Sequence, residues 1–148
     1  GQDHHVPPRL DRPGAASSPS EGLAGRRGVG RARLIDLDRY FRRLGLPRLT
    51  EPTRATLDAI ALAHIEAIPF ENLDVLLRRP ISLEPEALER KLLVEGRGGY
   101  CFEQNGLMFE VLSELGYQPT LILGRVLLSG NPHPGLTHRI SIVELGGV

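Results

Sequence analysis

The sequence has one cysteine, Cys101, among 148 residues, so it can form no internal disulfide. A lone cysteine suits a reducing compartment, and a cytoplasmic setting is expected. It also narrows the residue's role to a small buried hydrophobe or a nucleophile. Long apolar runs are missing too. No stretch approaches the roughly 20 apolar residues of a membrane span, and the N-terminus lacks the apolar core of a secretory signal. An excess of one charge is also missing, since 18 basic and 18 acidic side chains cancel. That balance points away from nucleic acid and from an anionic membrane as partners. Clustered metal ligands are likewise absent. Zinc needs three or four ligands close together, whereas His4 and His5 lie in a polar stretch and His133 stands between prolines. Neither a metal nor a permanently bound cofactor is expected.

What remains has the texture of a soluble globular protein, with 41% hydrophobic and 24% charged residues. Residues 1–33 differ from the rest. They hold Pro7, Pro8, Pro13, Pro19 and a Ser17-Ser18-Pro19-Ser20 run, with too little apolar surface to offset the ordering of the backbone. They read as a disordered tail. Asp3, Asp11 and Glu21 argue against a transit peptide, and Arg33 spoils the Gly28-Val29-Gly30 resemblance to a dinucleotide loop.

Residues 34–116 read as helical. Leu37, Tyr40, Phe41 and Leu44 recur at helical spacing before Gly45. A second helix is expected from Thr53 to Ala67, with Leu57, Ile60, Ala61, His64, Ile65 and Ile68 on one side and Pro69 closing it. His64 on that stripe reads as a packed core histidine. Phe70 to Leu77 reads as extended or irregular. A third helix starts at Pro85 and runs to about Val94, and a fourth runs from Cys101 to Leu115 before Gly116. Residues 117–148 change period. Pro119 to Leu128 and Thr137 to Leu145 read as two strands joined by a Pro- and Gly-rich turn.

Chemistry concentrates at Cys101. A helix start presents unpaired N–H groups and the positive end of the helix dipole, both of which stabilise a thiolate. Gly98 and Gly99 allow a tight turn, room for a substrate carbonyl, and backbone N–H groups that can face a developing oxyanion. A buried helix-cap cysteine is the competing reading. His138, 37 residues downstream at a strand start, offers a base. Cysteine on a helix start with histidine on a facing sheet is the papain-like arrangement.

Arg97-Gly98-Gly99-Tyr100-Cys101-Phe102-Glu103-Gln104-Asn105 resembles the active-site segment of the arylamine N-acetyltransferases. Ile68-Pro69-Phe70-Glu71-Asn72-Leu73-Asp74-Val75-Leu76 resembles a second signature of that family, and Thr137-His138-Arg139 its histidine segment. The resemblance runs from about Leu34 to Leu145, in order. It implies an α+β fold, with an N-terminal helical bundle over 34–116 followed over 117–148 by the beginning of an antiparallel β-barrel. It implies ping-pong transfer from the co-substrate acetyl-CoA, through an acetyl-cysteine on Cys101, to an arylamine or hydrazine, with His138 managing protons. Phe70 and Thr137 would contact substrate, while Arg97, Gly98, Gly99, Glu103 and Asn105 would support the loop and helix start. The family's catalytic aspartate, in an Asp-Val-Gly-Phe-Gly segment, has no counterpart before Val148, and the C-terminal lid domain is missing too. The chain is therefore read as truncated. An amide synthase of the same fold, or an inactive remnant serving as a binding module, are the alternatives.

Overall fold

The structure, a computed structural model, describes residues 35–128, 130 and 135–146. The tail expected at 1–33 lies outside the described residues, as do residues 129 and 131–134 of the inter-strand turn.

Helix α1 spans Leu37–Leu44. Asp36 caps it by accepting from the Arg39 N–H at 3.1 Å, and Gly45 ends it at φ 69°, where a side chain would be strained. Its four expected apolar positions are all buried. Helix α2, Arg54–Ala67, is capped by Thr53, whose hydroxyl accepts from the Thr56 N–H. The buried face differs from the expected stripe, because Thr56, Ile60, Ala63 and His64 face inward while Ile65 is 76% exposed. The helix buries a narrow seam, and Ile65 lies one residue, about 100°, beyond its edge.

Two further expectations are corrected. Phe70–Leu77 is not extended throughout, since Leu73–Leu76 forms a short helix, α3, whose first N–H donates to Glu71 Oε2 at 2.7 Å. The helix expected from Pro85 to Val94 is α-helical only over Pro85–Leu88 (α4) and continues as a π-helix over Glu89–Val94. A wide i→i+5 bond from the Glu95 N–H to the Arg90 carbonyl, 2.8 Å, closes it. The wider turn seats Leu88, Leu92 and Leu93 in the core and carries Lys91 inward as well.

Helix α5, Cys101–Glu114, runs through the core, burying Leu107, Val111 and Leu112 against Tyr40, Phe41 and Ile60. Gly116, at φ 92°, turns the chain into the sheet. Strands β1, Thr120–Arg125, and β2, Leu136–Ile142, pair antiparallel with Thr120 opposite Ile142 and Gly124 opposite His138. Both are shorter than expected, and a register shift after Gly124 bends the ladder. The described residues form this two-stranded sheet and no barrel. The sheet packs on α5 through β2.

Candidate active site

Two sequence segments with chemical character, 68–76 and 97–105, are one structure. Phe70 and Gly99 form a parallel bridge, with the Glu71 N–H donating to the Gly99 carbonyl at 3.1 Å and the Gly99 N–H to the Pro69 carbonyl at 3.2 Å. Gly98 runs so close to this strand that an added Cβ would fall onto the Pro69 carbonyl oxygen and within 2.9 Å of Glu71 Cγ. A Cβ on Gly99 would meet Glu103 Oε2 at 2.9 Å. The glycine pair thus serves close backbone packing. Of the turn amides expected to face an oxyanion, that of Gly99 is engaged by Pro69, and the Tyr100 N–H that follows donates to Glu103 Oε2 at 3.1 Å. The N–H groups of Cys101 and Phe102, which head α5, have no acceptor among the described residues.

Cys101 occupies the first position of α5 and is buried. Its Sγ–H donates to the Thr137 carbonyl at 3.6 Å, so the thiol meets the backbone of β2 next to His138 and does not donate to an imidazole nitrogen. His138 is half-buried opposite Gly124, which contributes no side chain beside it. Phe70 is 68% exposed, and the Thr137 side chain also lies at the surface. Asn105, one turn after the cysteine, joins helix to strand. Its Nδ2 donates to the Cys101 carbonyl at 3.1 Å and its Oδ1 accepts from the Ser141 N–H at 2.9 Å.

A charged cluster supports the loop from behind. Arg97 reaches Asp74 Oδ2 at 2.9 Å and Glu71 Oε1 at 3.2 Å. Lys91 Nζ lies 2.6 Å from Glu103 Oε1 and 2.8 Å from Asp74 Oδ2. Hydrogen bonds from Arg97 and then Lys91 hold the Asp74 carboxyl well below the usual carboxylate range. Burial opposes the Lys91 charge, but its bonds to Asp74 and Glu103 outweigh that and raise the ammonium above its ordinary value. The Asp74 bond likewise raises Arg97.

A second, neutral chain of bonds ties the loop to the core. His64 Nε2 lies 2.6 Å from Gln104 Oε1, and the Gln104 amide donates toward the carbonyls of Pro69, Ile68 and Gly99 at 3.0–3.2 Å. Gln104 therefore accepts from His64, which leaves His64 Nδ1 to accept from the Tyr40 hydroxyl at 2.9 Å. Burial holds His64 below its ordinary value, and burial raises the Tyr40 hydroxyl. The reading of His64 as a packed core residue agrees with this environment.

Sequence reasoning missed Lys91, Gln104 and Ser141 as parts of this assembly. Glu71 and Asp74 lay inside a noted segment, yet nothing in their spacing revealed the partners Lys91 and Arg97. Of two open cavities of about 740 and 750 Å³, the first lies beside Tyr117 and Thr120, and the second, beside Leu57 and Met108, is lined also by Asn105 and Ser141. Among the described residues no group of three His, Cys, Asp or Glu side chains is arranged to hold a metal, and no helix is long and apolar enough to cross a membrane.

Residues 53–148 match the N-acetyltransferase family. The arylamine N-acetyltransferase of Escherichia coli strain K12 is 49% identical over 110 residues, covering 74% of this chain and 39% of that protein. The solved arylamine N-acetyltransferase of Salmonella typhimurium superposes with a TM-score of 0.72 at 49% identity, over 75% of this chain and 41% of the other. The Mycobacterium marinum enzyme, solved in complex with CoA, superposes with a TM-score of 0.70 at 42% identity, over 76% and 42%. The chain thus spans about two fifths of the length of these relatives.

Proposed function

The chain belongs to the arylamine N-acetyltransferase family, and we propose that its chemistry is transfer of an acetyl group from acetyl-CoA to the nitrogen of an arylamine or hydrazine. The observation that carries this reading is the seat of Cys101, first residue of α5, with its Sγ against the carbonyl of the residue preceding His138.

In the first half-reaction the Cys101 thiolate attacks the thioester carbonyl, and a new C–S bond forms as the bond to CoA breaks. CoA leaves as a thiolate that takes up a proton. In the second half the amine nitrogen attacks acetyl-cysteine, its proton passes to His138, and the N-acetyl product leaves as the Cys101 thiolate returns. For this the thiol must leave the Thr137 carbonyl and give its proton to the His138 imidazole. The unbonded N–H groups of Cys101 and Phe102 are suited to receive the oxyanion of each tetrahedral intermediate. Phe70, with its ring in solvent beside the loop, offers a surface for the aromatic acceptor, and Thr137 a polar contact at the thiol. Arg97, Gly98, Gly99, Glu103 and Asn105 hold the loop and helix start. The CoA bound to the M. marinum relative supports acetyl-CoA as donor. A free thiol nucleophile suits a reducing, cytoplasmic setting.

The test is incubation with acetyl-CoA and no acceptor, followed by mass spectrometry. One acetyl group is expected on Cys101, lost in Cys101→Ser and severely slowed in His138→Ala. An adduct that persists in Cys101→Ser would place the nucleophile elsewhere.

A further inference from the structure

We propose that Lys91 is a positioning residue for the nucleophile: by pairing with the buried carboxylate of Glu103, it keeps that charge from opposing a thiolate at Cys101. The inference rests on the reading of Cys101 as nucleophile and adds a residue that no sequence motif singled out.

Glu103 is 3% exposed and stands two residues after Cys101 in the first turn of α5. One oxygen takes the Tyr100 N–H and so fixes the residue before the cysteine, while the other lies 2.6 Å from Lys91 Nζ. A carboxylate there is an effective helix cap. It is also a negative charge in the same first turn of α5 as a second group that must ionise, and like charges sharing one helix-end field disfavour one another. A cation on Glu103 removes the conflict while leaving the cap in place.

Lys91 alone fills that role among the described residues. Arg97 contacts Glu71 and Asp74, so those two carboxylates keep a cationic partner if Lys91 is lost, and Glu103 keeps only the Tyr100 N–H. The lysine arrives by an uncommon route, on the π-helix Glu89–Val94, and such turns occur often at functional sites. Its backbone takes part too, because the Lys91 carbonyl accepts from the Arg97 N–H at 3.1 Å where the glycine loop begins. From the sheet side Arg139 on β2 is close enough to act on Tyr100, and it does not bond Glu103.

The test is the rate of iodoacetamide alkylation of Cys101, followed from pH 5 to 9 in the wild type, Lys91→Met, Glu103→Gln and the double variant. Lys91→Met is expected to slow alkylation at pH 7 about tenfold, the effect of a one-unit displacement of the thiol titration. In the Glu103→Gln background the same substitution is expected to change the rate by less than about twofold, because the charge it answers is gone. Circular dichroism establishes that each variant folds. If Lys91→Met alone does not, the double variant, which puts two neutral side chains in place of the pair, is expected to fold and to alkylate at close to the wild-type rate. An unchanged pH profile in Lys91→Met, or equal slowing with and without Glu103, overturns the proposal, as does a folded double variant with slow alkylation. Alkylation needs no acyl donor. A chain that shows the Lys91 effect but takes no acetyl group therefore counts against acetyl transfer and not against Lys91.

Discussion

Asn105 and Ser141 hold each other by two hydrogen bonds, Ser141 N–H to Asn105 Oδ1 at 2.9 Å and Ser141 Oγ–H to the Asn105 carbonyl at 3.2 Å. The same asparagine donates to the Cys101 carbonyl at 3.1 Å. One side chain thus connects the helix that begins at the cysteine to the strand that carries the histidine.

Asn105→Ala is expected to destabilise the fold by about 1–3 kcal/mol, because it leaves the Ser141 N–H without its acceptor. Acetylation of Cys101 should fall by more than the stability loss explains, since β2 is no longer registered on α5. Urea midpoints and adduct formation, measured on the same preparation, check both. An acetylation rate equal to wild type would show that helix and strand stay aligned without this link.

Two glycines of the loop before Cys101 are needed for different reasons, and alanine separates them. Gly96 sits at φ 65° with open space where a Cβ would be, so Gly96→Ala should cost only about 1–2 kcal/mol of left-handed backbone strain. A Cβ at Gly98 would strike the Pro69 carbonyl, and the two segments must part to admit it. Gly98→Ala should therefore cost the Phe70–Gly99 pairing as well, and be the more destabilising of the two in thermal unfolding. The reverse order would mean that the close approach at Pro69 relaxes easily.

His64 makes the fold sensitive to acid. Burial keeps the folded imidazole below its ordinary 6.5, and accepting from Tyr40 at Nδ1 requires the neutral form. Below about that value the unfolded chain binds a proton that the folded chain does not, so stability is complete above it and declines as pH falls. Unfolding measured from pH 7.5 to 5 should show this decline, and His64→Gln should flatten it. A slope unchanged in the variant would assign the acid sensitivity to another group.

Phe70 is exposed enough for its ring to be removed without harm to the core. Phe70→Ala should shift stability by no more than about 0.5 kcal/mol, as for most surface positions, yet raise KM for an arylamine with little change in the acetylation of Cys101. Equal KM values would remove the ring from the acceptor's surroundings.

Local order was legible wherever a short-range signal governs structure. Asp36 and Gly45 bound α1 because capping and the left-handed turn are decided by adjacent residues. Cys101 opens α5, and the change to two strands after Gly116 follows from the change of period. His64 could be assigned to the core from its neighbours on the helix. What the chain did not disclose depends on partners far away in sequence. Ile65 repeats at helical spacing like a core residue, but the seam against α1 and α5 is too narrow to reach it. The π-helix follows from a helix that must turn Leu88, Leu92 and Leu93 to the core and also bring Lys91 to Glu103 and Asp74. Gly98 read as a tight turn with room for a substrate carbonyl, and only the segment at Pro69 makes it a place with no room for a side chain. Spacing along a chain encodes a helix and its ends, whereas the pairing of charges behind the loop is decided where elements 12 to 26 residues apart meet.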